Sequence, residues 1–80
     1  MTNLEKYNKI IKRNLGCTDE ELNDEVLIDN RYPRWDSVTH VEMVAEIEEK
    51  FGVMFETLDI TSFGKYSIGI EILRRLGVDI

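Results

Sequence analysis

The chain is sparing with the residues that build most chemistry. It has one cysteine, Cys17, so no internal disulfide can form, and a reducing cytoplasm is its natural setting. Nothing nearby is placed as a base, so Cys17 reads as a small, partly buried filler after a helix and not as a nucleophile. There is one histidine, His40, and there is no HExxH, CxxC pair, phosphate-binding glycine loop or dinucleotide fingerprint. Metal and nucleotide chemistry therefore have no template, and no metal site is expected. No apolar run approaches a membrane span, which excludes insertion, and the segment from Met1 to Lys9 lacks the apolar core of a signal peptide. Basic charge is also short: ten Lys and Arg against sixteen Asp and Glu give a net charge of −6, which disfavours nucleic acid and anionic membrane as partners.

What remains is enough for one domain. Eighty residues with a 42% hydrophobic share can build one modest core, so residues 1–80 are expected to form a single monomeric domain. The charge is unevenly spread. Residues 1–16 carry +3, residues 17–30 carry −6 and residues 37–56 carry −4, and acid in the later segments would steer a basic partner surface towards them.

In chain order, Thr2 and Glu5 fit a capping box. Leu4, Tyr7, Ile10, Ile11 and Leu15 then recur at helical spacing, and Gly16 supplies a left-handed stop. A first helix over 3–15 follows, with its Lys and Arg residues on a solvated face. Residues 17–34 show no sustained period. Thr18 to Glu21 can cap a single turn, and Val26, Leu27 and Ile28 are expected to anchor a long connection to the core. Its acids lack the spacing of a calcium loop, so a solvated acidic loop is the expectation, and Pro33 sets up the turn into Asp36. After a central helix, Val53, Met54 and Phe55 form a short apolar connector. Thr57 caps a short helix over 58–62 with Phe63 turned inward. A last helix runs from about 65 to 76, where Tyr66, Ile72, Leu73 and Leu76 share a face, Gly69 permits close approach, and Gly77 ends it. The fold class is all-α: a small bundle of three main helices plus one short helix, with a long loop between the first and second.

The central helix carries most of the information. Asp36 is a good N-cap, which puts Ser37 at the first helical position, at the positive end of the dipole, where a phosphate is stabilised. The run continues uninterrupted to Gly52. At about 100° per residue, Met43, Val44, Ile47 and Phe51 form one face with His40 on the same side. Val38, Val41 and Ala45 fall roughly opposite, bordered by Glu42, Glu46 and Glu49 on one side and Glu48 on the other. A helix in so small a domain rarely buries two faces, so the smaller stripe is expected to be an exposed docking surface. His40 reads as a packed, hydrogen-bonded histidine. A Ser37–His40 pair would lack both an orienting Asp and oxyanion donors, so no catalytic residue is expected, and the chain reads as acted upon by enzymes.

These residues carry a family resemblance. Trp35-Asp36-Ser37-Val38, then Val41-Glu42-Met43-Val44, Ile47-Glu48-Glu49 and Phe51, resemble the acyl carrier protein family, with its Asp-Ser-Leu at the head of the second helix followed by Val-Glu-Leu-Val and Leu-Glu-Glu-x-Phe. Phe55 and Asp59-Ile60 extend the likeness, and the helix order agrees over the whole chain. The resemblance implies that a phosphopantetheinyl transferase attaches 4′-phosphopantetheine from coenzyme A to Ser37, beside Asp36. It implies that an acyl or aminoacyl group, supplied by an acyl-loading ligase and removed by acyl-accepting enzymes, is held on the arm as a thioester. It also assigns partner contact to Val38, Val41, Glu42, Ala45, Glu48 and Glu49, and sets His40 at the border of the interior space into which some carriers fold an acyl chain.

The chain departs from the family pattern in places. Arg34 and Trp35 stand where small residues are often found and would set bulk and a cation beside the arm. Val38 replaces the usual Leu, Leu58 stands where acid is common, and the first helix is basic. These departures point to a specialised pathway with its own ligase and acceptor. Asp36 argues against peptidyl carriers, which usually have Gly there, while carriers of D-alanine stay open. The alternative is a small helical adaptor that uses the Val38/Val41/Ala45 patch without modification.

Overall fold

Thr2 and Glu5 cap each other reciprocally, the Thr2 hydroxyl accepting from Glu5 N (3.1 Å) and Glu5 Oε1 accepting from Thr2 N (2.9 Å). From that cap, in a computed structural model that describes residues 1–80, α1 runs Asn3–Leu15. Gly16 closes it at φ 70°, its N–H reaching Lys12 O. The remaining helices are α2 (Ser37–Phe51), α3 (Thr57–Ser62) and α4 (Tyr66–Arg75), with one 3₁₀ turn at Asp19–Glu21. There is no strand; Ile28 and Lys65 form one isolated antiparallel bridge. The protein is thus an all-α bundle of three longer helices and one short one, with a long loop between α1 and α2. No helix is long and apolar enough to cross a membrane.

The core is built from the faces the periodicity predicts. Tyr7, Ile10, Ile11 and Leu15 of α1 meet Met43, Val44 and Ile47 of α2 and Ile72 and Leu73 of α4, with Leu27, Trp35, Phe55 and Phe63 filling in from the connections. Leu4 departs from this pattern: it lies in the first turn of α1 and is exposed. Cys17 is buried, and loss of water around it raises its thiol pKa, which keeps it unreactive.

The long loop is fastened more tightly than a solvated acidic segment would be. Leu27 is fully buried, and Asp29 N donates to Gly64 O (2.9 Å). Asp24 carries the least local of these ties. Lys65, the N-cap of α4, offers no side-chain acceptor. The Asp24 carboxylate takes that place, accepting from Ser67 N (2.7 Å) and Ser67 Oγ (2.5 Å). A carboxylate at the positive end of α4 is stabilised by the free N–H groups there. The cap of α3 also shifts by one residue from the expected Thr57 to Glu56, because Asp59, three residues on, accepts from Glu56 N (3.0 Å). Asp59 in turn pairs with Arg75 and ties α3 to α4.

Three aspartates are expected to make this fold acid-sensitive. Asp24 is held below the ordinary value of 3.8 by the Ser67 hydroxyl and N–H. Asp36 is held low by Thr39 N, and Asp59 by Glu56 N and then Arg75. A carboxyl that is more acidic in the folded state contributes stability that is complete above its unfolded value and is lost as pH falls through the folded one. The thermal midpoint is therefore expected to be insensitive to these groups above about pH 5 and to fall below about pH 4. Asp24→Asn should flatten part of that fall in a melting series across pH.

Gly69 is where α4 crosses α1. A Cβ there would collide with the Tyr7 hydroxyl and lie 2.7 Å from Phe63 Cε1, both on fully buried side chains. Tyr7 Oη donates to Tyr66 O at 2.6 Å, so it cannot retreat without losing that bond. Gly69→Ala is expected to cost about 1–3 kcal/mol through overpacking, read as a lower urea midpoint with an unchanged slope.

Candidate functional site around Ser37

Asp36 caps α2 from an extended backbone (φ −101°, ψ −179°), its Oδ1 accepting from Thr39 N at 2.8 Å. The cap is therefore made by Asp36, and Ser37 follows it as the first helical residue, exposed. Its hydroxyl is not needed to close the helix. It stands at the N-terminal end of fifteen aligned residues, where negative charge is favoured. At the far end Gly52 takes φ 63° and stops the helix.

The stripe beside Ser37 is open. Val38 is 68% and Val41 62% exposed, and Ala45 is exposed with them. Met54 and Leu58, each 80% exposed, lie on the α2–α3 connector and on α3, so most of the large exposed apolar side chains belong to this part of the chain. A surface of this kind marks an interaction site more often than an isolated exposed Val or Leu does.

The acids around the stripe divide in two. Glu42 and Glu49 are exposed, and neither enters an ion pair. Glu46, expected to border the stripe, instead pairs with Arg13 and accepts from Asn14 Nδ2 (2.9 Å), which ties α2 to α1. Glu48 is half-buried, with Oε2 accepting from Phe55 N at 2.7 Å, so a partner would meet a carboxylate already engaged in holding the connector.

The two residues before Asp36 do not lie where their sequence position suggests. Trp35 is only 1% exposed and points inward. Its Nε1–H donates to His40 Nδ1 at 2.9 Å, which gives the buried indole the partner it needs. The rings stack at 6.1 Å and 21°, and Trp35 meets Phe63 edge-on at 5.3 Å. His40 Nε2 lies 2.7 Å from Ile60 O. A carbonyl only accepts, so Nε2 carries the proton and Nδ1 is the acceptor. Both ring nitrogens are used, and none is free to serve Ser37 as a base. Arg34 turns towards α1, with Nη2 3.4 Å from Asn14 O and Nη1 against Gly16, at the end of α1 that favours cations.

An open cleft of about 320 Å³ adjoins Ser37, lined also by Asp29, Asn30, His40, Val41, Ile60 and Thr61. Asn30 sits at φ 65° there, a conformation that Asn tolerates better than most residues. Sequence reasoning counted Asp29 among the solvated loop acids and placed neither it nor Asn30 beside Ser37. Asn30 is bracketed by turns, with its N–H on Trp35 O and Arg31 N on Ile28 O, and the polar run before Pro33 was the only local signal.

No protein-family model matches the chain, and no curated protein matches it in sequence.

Proposed function

We propose that the protein is a carrier of the acyl carrier type, bearing 4′-phosphopantetheine on Ser37 and holding an acyl or aminoacyl group on that arm as a thioester. The observation that carries this reading is an exposed serine at the first position of α2, freed from capping by Asp36, with the exposed Val38 and Val41 stripe beginning beside it. The phosphate would sit at the positive end of α2, and the arm supplies the thiol. The chain's own contribution is to present Ser37 to a transferase, to hold α2 rigid through His40, Glu46 and Glu48, and to offer a small apolar stripe that partners engage and release.

The partners in this reading are a phosphopantetheinyl transferase, an acyl-loading ligase and acyl-accepting enzymes. Glu42 and Glu49 would steer their basic surfaces. Reversing both, as Glu42→Lys with Glu49→Lys, is expected to slow loading by the cognate ligase about tenfold at low salt, with a smaller effect at high salt. Helicity by circular dichroism should be unchanged, because neither side chain holds the fold together. Rates equal to wild type would remove these acids from docking.

The reading is tested by the mass of the protein purified from its native cell, before and after hydroxylamine. The expected spectrum shows the chain plus one arm plus a group that hydroxylamine removes. A mass equal to the bare chain in a fully active preparation would favour the adaptor reading, in which the Val38/Val41/Ala45 patch binds partners without modification.

A further inference from the structure

Resting on Ser37 as the attachment point, we propose that the carried group is short or polar and stays outside the bundle, with Trp35 as the residue that closes the interior to it. The inward path from Ser37 leads to residues already packed together. Trp35, two positions before Ser37, and Phe63 are among the largest fully buried side chains of the protein. His40, three positions after Ser37, lies with its ring centre 5.5 Å from that of Phe63, and Phe55 adds a further edge-on contact at 6.4 Å. An alkyl chain gains with each methylene it removes from water, but here it would have to displace an indole and a phenyl ring that already fill the space.

The closure is polar as well as steric. Trp35 donates to His40, and His40 donates to Ile60 O, so one chain of two hydrogen bonds links the residue before the α2 cap, α2 and α3. Swinging Trp35 aside leaves a buried N–H and an imidazole nitrogen without partners. Parting α2 from α3 breaks the His40–Ile60 bond. The short α3 is also tied to α4, where Asp59 pairs with Arg75, so it is not built as a loose lid.

The surface available outside suits a different cargo. The open cleft beside Ser37 is lined by Asp29, Asn30, His40 and Thr61 together with Val41 and Ile60. Asp29, Asn30 and Thr61 bring hydrogen-bonding groups that suit an acyl group bearing a hydroxyl or amine, and a cleft open to solvent cannot take a long alkyl chain out of water as an interior pocket would.

The test loads Ser37 enzymatically from acetyl-, 3-hydroxybutyryl- and decanoyl-coenzyme A and compares the three products. Intact mass reports loading. The thermal midpoint, the indole N–H resonance and the rate of thioester cleavage by hydroxylamine report where the acyl group lies. Trp35 is the only tryptophan, so its resonance needs no assignment. Equal midpoints, an unmoved indole resonance and cleavage rates within about a factor of two are expected. A decanoyl form with a shifted indole resonance and several-fold slower cleavage would overturn the inference while leaving Ser37 as the attachment point. A chain that takes up no arm overturns the reading of Ser37, and this inference with it, and intact mass shows that outcome directly. In Trp35→Leu, decanoyl cleavage should slow relative to acetyl; equal rates in the folded variant would contradict the role given to Trp35.

Discussion

Trp35→Ala is expected to remove most of the protein's stability. Truncating a buried tryptophan costs about 3–5 kcal/mol. Here it also strands His40 Nδ1, which loses the donor it now has at 2.9 Å, at a further cost of about 1–3 kcal/mol. A domain of this size has a stability of roughly 4–12 kcal/mol in all, so mid-range values leave only about 2 kcal/mol. Circular dichroism and a urea titration read the effect. Trp35→Phe keeps much of the ring volume and loses only the hydrogen bond, so it should retain a cooperative transition at a lower midpoint. An alanine variant as stable as wild type would mean that the indole faces solvent beside Ser37, contrary to its 1% exposure.

Ser37→Ala is expected to do the opposite: no measurable change in fold and complete loss of biological activity. Ser37 is exposed and the cap of α2 belongs to Asp36, so stability should stay within about 0.5 kcal/mol of wild type. Asp36→Ala is the structural counterpart. It removes the acceptor of Thr39 N, costs about 1 kcal/mol, and leaves the hydroxyl available. The pair separates what holds the helix start from what it presents. Under the adaptor reading, Ser37→Ala would keep full activity, and complementation in the native cell distinguishes the two.

How much of this was legible in the sequence depended on whether the signal was local. The first helix could be read from end to end, because Thr2, Glu5, the apolar period and Gly16 all lie within one element. The span of α2 and the exposure of Val38 and Val41 followed in the same way from Asp36, the wheel and Gly52. Trp35 was not legible. It lies in a turn without periodicity, and its direction is set by His40 five residues later and by Phe63 from the far side of α3. Arg34 was misplaced for the same reason, since its partner atoms belong to the end of α1. Asp24 looked like one more solvated acid because its partner, Ser67, is 43 residues away. The wheel also gave the α2 glutamates equal standing. Only the packing of α1 and of the 52–55 connector shows that Glu46 and Glu48 are engaged internally, leaving Glu42 and Glu49 free.

The central claim is that Ser37 is a point of covalent attachment. Its most direct test is the intact mass of the apo protein after incubation with coenzyme A and a broad-specificity phosphopantetheinyl transferase, run beside Ser37→Ala. Wild type is expected to gain one phosphopantetheine and the alanine variant none. No gain on wild type, or a gain that persists without Ser37, would contradict the claim.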